Sequence, residues 1–468
     1  MLMSEPLPFV RAYLEVLDAQ LRRAGGGQGG LSRLQRHWLG FCLMGMMVTE
    51  SLCWARFERA SAGHYSAAAL TWMFRRAKLP WSWLLRTSVT VVLARYGITQ
   101  GVLVLDDVIN PRAKVTARIG YAHQLKQPSS GGYVNGQRLV MLLLVTETVT
   151  IPVDFRFYQP DPLYTSWRRE NQRLRRQGVP KRQRPQAPTR NPRYPSKLTL
   201  ALRLLAAFRS EHPEIRVQCV VADTLYRSGE FLDQASALFD GVQVIGQLRD
   251  NQQVRYRGRP RSVAAYFQRF PGVPHRLRRR GGEPISVYLG SARLSVNSHG
   301  KKRFVLALKY DEDDEYRYIV ATAMTWRALD IAQARTLRWL IEVFFEDWKA
   351  HHGWVKLAKQ PGEEGSVHGA SLSLLLDHCL LLHPEQTACV EHRQPMHTVG
   401  SLIHHTKVES LVQVIQHVLS DTDPSARLQQ LAQTLHQLYP ASASAKHMVG
   451  RDLGRLAPTP SLRYRATG

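Results

Sequence analysis

Acidic residues are scarce in this 468-residue chain: 37 Asp and Glu stand against 63 Lys and Arg, a formal charge of +26. Such an imbalance creates a positive field that draws in polyanions. Nucleic acid is the first candidate, because each phosphate neutralised releases condensed counterions. An acidic lipid surface is the other, but basic clusters in a long folded chain favour nucleic acid. Cysteine is also sparse. Cys42, Cys53, Cys219, Cys379 and Cys389 are odd in number and far apart, which argues against a disulfide framework and agrees with a reducing cytoplasm. No apolar run reaches the roughly 18–20 residues that span a bilayer, and the opening Met1-Leu-Met-Ser-Glu-Pro6 lacks the order of a signal peptide. The expectation is a protein that stays inside the cell, without a membrane. The segment Gly131–Gly136 lacks the Gly-Lys-Ser/Thr ending of a phosphate loop, so no nucleotide cofactor is expected. The C-terminal His378, His383, His392, His397, His404 and His405, with Cys379 and Cys389, match no closed zinc spacing.

What is present suggests two to four structural units, since the chain is long and 44% hydrophobic. Residues 1–98 are predicted to be a helical DNA-binding domain. Its first helix covers 7–23, with Val10, Tyr13, Leu14, Leu17 and Leu21 at helical spacing, and Gly25–Gly30 breaks it. His64–Trp72, followed by Arg75, Arg76 and Lys78, reads equally well as a helix shown to DNA and as a plain structural helix. From 99 to 249 the texture is α/β. Strands are predicted at Val102–Asp107, Arg138–Thr146, Thr150–Tyr158, Arg216–Ala222 and Val242–Leu248, with a helix over Lys197–Glu211. A Pro- and Arg-rich insertion at 159–196 is expected to be a mobile basic arm, Arg175 and Arg176 among its candidate DNA contacts. A second basic stretch, including Arg278, Arg279 and Arg280, opens a β-rich insertion at 250–322. Helical pattern returns over Leu329–Ala350, within a core segment 323–356, and 357–468 reads as a helical C-terminal region, a candidate for dimerisation.

The isolated acids carry the chemistry. Phosphodiester cleavage needs an activated nucleophile and compensation for charge on the leaving oxygen, which two divalent ions about 4 Å apart supply. Magnesium takes oxygen ligands, so a few carboxylates must converge. Asp106 and Asp107 follow one apolar run and Asp223 another, although such positions also cap turns. Glu342 lies on a helix whose Leu337, Ile341, Phe344, Phe345 and Trp348 form a core stripe. Arg335, Arg338, Glu342, Glu346 and Lys349 occupy a neighbouring face, suited to holding phosphates around a metal ligand. An ordinary surface helix with an Arg338–Glu342 pair is an equally good reading of composition alone.

The block Arg338-Trp-Leu-Ile-Glu342-Val-Phe-Phe-Glu-Asp-Trp-Lys349 resembles the Y-x2-R-x3-E-x6-K signature of a group of bacterial insertion-sequence transposases. Arg, Glu and Lys match in identity and spacing; Arg335 replaces the signature tyrosine. Leu103–Val108 and Val221–Tyr226 resemble the first- and second-aspartate blocks, favouring Asp106 over Asp107. The resemblance covers roughly 100–370. It implies an RNase H-like mixed-sheet catalytic core with a β-rich insertion, flanked by helical terminal regions. It further implies catalytic and metal-binding Asp106, Asp223 and Glu342, with Mg²⁺ or Mn²⁺ as cofactor. Cut-and-paste transposition through hairpin intermediates would follow, on double-stranded transposon ends and target DNA, by a homodimer at the bacterial nucleoid. A catalytically silent DNA-binding descendant and a nuclease of the same fold are the alternatives.

Overall fold

A computed structural model describes residues 5–24, 29–112, 118–126, 132–278, 283–311, 314–354 and 361–438. Residues 25–28 of the expected glycine break, and the candidate DNA contacts Arg279 and Arg280, lie outside the described residues. The chain opens with α1 (Pro8–Arg23), α2 (Arg33–Thr49), α3 (Trp54–Ala60), α4 (Ala67–Arg76) and α5 (Trp81–Arg95). Helix α1 buries the stripe expected of it. Helix α2 starts on a capping box in which Ser32 and Gln35 satisfy each other's backbone N–H. Helix α4 buries Leu70, Met73 and Phe74 and leaves Trp72, Arg75 and Arg76 exposed.

Next come β1 (Gln100–Pro111), β2 (His123–Lys126), β3 (Tyr133–Val145), β4 (Thr150–Tyr158), α6 (Pro162–Arg176), α7 (Lys197–Glu211), β5 (Arg216–Ala222), α8 (Gly229–Ala237) and β6 (Gln243–Leu248). Strands β1, β3 and β4 form an antiparallel meander, and β5 and β6 run parallel to β1 on its other side. The order β4-β3-β1-β5-β6 makes a mixed sheet, three antiparallel strands followed by two parallel ones.

The expected insertion contributes β7 (Gln253–Tyr256), β8 (Arg259–Ser262), α9 (Val263–Arg269), β9 (Val273–Leu277), β10 (Ile285–Val296), β11 (Lys301–Lys309) and β12 (Arg317–Ala321). It is continuous with the core, because β12 pairs with β6, and β11 and β10 follow in one sheet. An uncovered β6 would present unpaired backbone groups, and β12 satisfies them. The last elements are α10 (Ala328–Thr336), α11 (Trp339–His351), α12 (Gly362–Leu381), α13 (Pro384–Glu391), α14 (Val399–Leu419) and α15 (Pro424–Leu438).

Strand alternation divides the core. Leu103 and Leu105 of β1 pack with Val89, Leu204 and Phe231 from α5, α7 and α8. Val102, Val104 and Val108 face the other way, toward Ile331, Ile341, Phe345, Trp348 and Leu374 of α10, α11 and α12. A third cluster joins α1–α5 to Leu372, Leu375 and Leu376 of α12 and to Leu402 and Ile403 of α14. The N-terminal helices and the helices near the C-terminus therefore share a core.

Two expectations are corrected. The arm at 159–196 contains a capped helix: Asp161 accepts hydrogen bonds from Leu163 and Tyr164 N–H, and Pro162 takes the first turn. None of its residues is buried, so local capping gives it order without a core. The returning chain is tied down by Trp167 Nε1 donating to Pro185 O at 2.8 Å and by Arg190 over the Tyr164 ring at 4.3 Å. The helical pattern over 329–350 is also two helices, not one. At the break Leu340 N–H donates to Leu337 O (3.1 Å) and Ile341 N–H to Arg338 O (3.2 Å), the tighter i→i−3 pattern.

Helix α11 ends at a position only glycine fits. Gly353 has φ of 71°, and a Cβ there would lie 2.8 Å from the Ser51 carbonyl carbon. The turn brings Trp354 back onto Trp348, ring centroids 4.6 Å apart and nearly parallel at 8°. Among the described residues, no single helix is long and apolar enough to cross a membrane.

Candidate active site

The site is a consequence of register and alternation. Leu105 of β1 is the parallel partner of Ala222 of β5, so Asp106 and Asp223 follow as the next pair of neighbours. Asp106 shares its parity with Val102, Val104 and Val108, and Asp223 with Cys219 and Val221; all five apolar residues lie on the face covered by α11. Burial of Ile341, Phe344, Phe345 and Trp348 against that face fixes the rotation of α11. Arg338 and Glu342 are thereby turned toward the aspartates.

Arg338 Nη1 lies 2.6 Å from Asp106 Oδ2, 3.2 Å from Glu342 Oε1 and 3.7 Å from Asp223 Oδ1. Three carboxylates from β1, the end of β5 and α11 thus surround one nitrogen. Asp106 sits in the middle of β1, which runs on to Pro111, and not at a strand end as its apolar run suggests. It is 7% exposed. Burial and the neighbouring Asp223 carboxylate push its carboxyl up to about 7, against the pull of Arg338.

Asp107 points to the opposite face. Its Oδ2 accepts from Lys197 Nζ at 2.8 Å, at the start of α7, and pairs with Arg138 at 3.5 Å. The alternative that Asp107 joins the cluster therefore does not match the geometry. Sequence reasoning missed Lys197 and Arg138 as partners of Asp107, because Lys197 lies 90 residues away and only the fold brings it there. Tyr226, also passed over, is fully buried just after Asp223 with no partner for its hydroxyl. Burial, and then Asp107, Asp106 and Asp223, hold its phenol well above the ordinary range.

The other candidates scatter. Arg335 is half-buried and donates to Gln247 Oε1 at 2.6 Å. Burial, with Arg338 nearby, lowers its guanidinium to about 10. It lines a cavity of about 640 Å³ together with Asp223, Gln247, Arg317, Arg338 and Trp339. Lys349 is exposed, its ammonium 5.9 Å from the Phe345 ring centroid, and it does not reach the acids. Arg175 and Arg176 are exposed on α6, and Arg278 is exposed beyond β9.

Hard carboxylate oxygens are the donors that Mg²⁺ and Mn²⁺ prefer. All three contacting oxygens lie within 3.7 Å of the Arg338 nitrogen. Among the described residues no His, Cys, Asp or Glu group of three is closed tightly enough to hold an ion as it stands; the acids are instead arranged around Arg338.

The DDE superfamily endonuclease family matches residues 30–288, just over half the chain. The chain belongs to that family. The match includes Asp106 and Asp223 and ends before Glu342. Two solved structures resemble this DDE family member distantly. The piggyBac transposase synaptic complex with hairpin DNA aligns at 7% identity and a TM-score of 0.45, covering 93% of this chain and 84% of that one. The NurA nuclease from Sulfolobus solfataricus aligns at 8% identity and a TM-score of 0.23, covering 51% of this chain and 72% of that one. No curated protein matches the chain.

Proposed function

We propose that the chain is a DNA transposase that cuts and rejoins strands at the terminal inverted repeats of a bacterial insertion sequence. The observation that carries the reading is the meeting of Asp106, Asp223 and Glu342 around a single cationic nitrogen. In this reading those carboxylates are the ligands of Mg²⁺ or Mn²⁺. Bound ions would supply activation of water or a 3′-hydroxyl and relief of charge on the departing oxygen.

The rest falls to the chain's own side chains. Arg338 and Lys349 hold phosphates of the transposon end, Arg338 by the planar fork that suits them. Arg335 adds a cation at the wall of the adjoining cavity, where the signature tyrosine would stand. The Lys197–Asp107–Arg138 group pins the other face of β1, so that Asp106 keeps its direction. Exposed Arg175, Arg176 and Arg278, with Trp72, Arg75 and Arg76 on α4, offer a basic surface for the phosphate backbone. The dimer implied by the resemblance has an apolar stripe available on α14: Val408, Leu411, Val412, Ile415 and Leu419 are exposed at helical spacing.

The family's description as an endonuclease favours a second reading, a nuclease that hydrolyses without joining. One assay separates them. Incubated with duplex carrying the inverted repeats that flank the gene, the protein is expected to nick at the repeat end in Mg²⁺ but not in EDTA. With pre-cut 3′-hydroxyl ends it is expected to join them to a target plasmid. Nicking without joining selects the nuclease; metal-independent nicking, or none, rejects both.

A further inference from the structure

Arg338 stands where a cation held by the three acids would stand. Its Nη1 donates to Asp106 and to Glu342, and Asp223 closes the third side. The side chain is 18% exposed and reaches across from the break between α10 and α11. A guanidinium does not give up its proton near neutral pH, so this charge cannot be removed by titration; it has to move. While it remains, it occupies acceptor positions on Asp106 and Glu342 and repels a divalent ion a few ångströms away.

An exit exists. The cavity beside the acids is lined by Arg338 as well as Arg335, Arg317 and Trp339, and its cations would welcome an anion. Arg335 donates instead to Gln247 at 2.6 Å. A phosphate entering this cavity offers Arg338 a bidentate partner in place of the carboxylates.

We propose that Arg338 is a resident counter-ion that plugs the acid cluster in the DNA-free chain and leaves it for a DNA phosphate, so that divalent-ion loading and DNA binding are coupled. This rests on the reading of Asp106, Asp223 and Glu342 as metal ligands. It adds regulation to that site: ions load poorly without DNA, which guards against cleavage by an enzyme not yet seated on its substrate. Coupling of this kind is reciprocal, so the ions also tighten DNA binding.

The test is Mn²⁺ titration of the full chain without DNA, read by the loss of the free-ion electron paramagnetic resonance signal. Arg338→Gln is expected to bind Mn²⁺ at least tenfold more tightly than wild type while losing cleavage. Arg338→Met carries the same comparison should the glutamine variant not fold, as checked by circular dichroism. A residue that merely supported the fold would, when removed, lower the affinity or leave it alone, and either result overturns the proposal. Adding Asp106→Asn or Glu342→Gln to Arg338→Gln is expected to abolish the gain. If the gain survives in the double variants, the ions are held elsewhere and the metal-ligand reading itself fails. If the acid variants weaken Mn²⁺ binding in a wild-type background but Arg338→Gln gives no gain, the ligand reading stands and the plug alone is wrong.

Discussion

Glu342→Gln is expected to lower metal-dependent DNA cleavage by about a thousand-fold or more, with duplex binding within about threefold of wild type. The substitution keeps the length of the side chain and an oxygen that can still accept from Arg338, now 3.2 Å away. It removes the negative charge and half of the oxygen donor set. A hard divalent ion discriminates strongly against such a change, whereas helix α11 loses only a partly exposed ion pair, worth a few tenths of a kcal/mol. Asp106→Asn and Asp223→Asn should behave alike, because all three carboxylates surround the same point. Cleavage by gel assay and binding by fluorescence anisotropy separate the two effects. A Glu342→Gln protein that cuts at the wild-type rate removes the helix-borne acid from the chemistry. Equal losses of cutting and binding would instead mean that the variant disturbs the DNA surface or the fold.

Trp348→Ala is expected to cost about 3–5 kcal/mol of stability, the range for deleting a large buried aromatic side chain. Trp348 is fully buried, stacks on Trp354 at 4.6 Å and on Phe344 at 5.7 Å, and donates from Nε1 to Ser373 Oγ at 2.7 Å. It thereby ties α11, which carries Glu342 and follows its N-cap Arg338, to α12 and to the turn at Gly353. Trp348→Phe keeps most of the aromatic volume and loses the hydrogen bond, so a smaller loss, about 1 kcal/mol, is expected. Chemical denaturation of both variants measures the difference. If Trp348→Ala unfolds within about 1 kcal/mol of wild type, far below the cavity range, α11 is not anchored as described, and the orientation of Glu342 needs another cause.

Much of the site was legible because its parts are local. Val102–Leu105 and Val217–Ala222 are apolar runs that end or continue in acids, and the stripe through Ile341, Phe344, Phe345 and Trp348 defines the buried side of its helix. The choice between Asp106 and Asp107 was left open in the residues themselves and tilted only by the resemblance. Geometry separates them, through alternation along β1 once one knows which face α11 covers. What could not be read depends on distant pairing. Nothing in β12 names β6 as its neighbour, so an insertion that extends the sheet looks like a separate unit. The apolar faces of α12 and α14 do not say that α1–α5 will cover them. Arg338 reads as a partner of Glu342 four residues away, while its shortest contact is to Asp106, far away in sequence. The arm at 159–196 misled for the opposite reason: its charge implied disorder, while Asp161 and Pro162 at the start of α6 announced a helix.

If Asp106, Asp223 and Glu342 together hold divalent ions at the scissile phosphate, the ions can be located there. Anomalous scattering from Mn²⁺ in crystals of the protein bound to duplex DNA tests this most directly. Manganese density is expected against oxygens of all three carboxylates and a phosphate oxygen, with Arg338 turned onto the DNA. Manganese seated elsewhere, or DNA bound across the basic surface while Arg338 still bridges the three acids at saturating Mn²⁺, would contradict it.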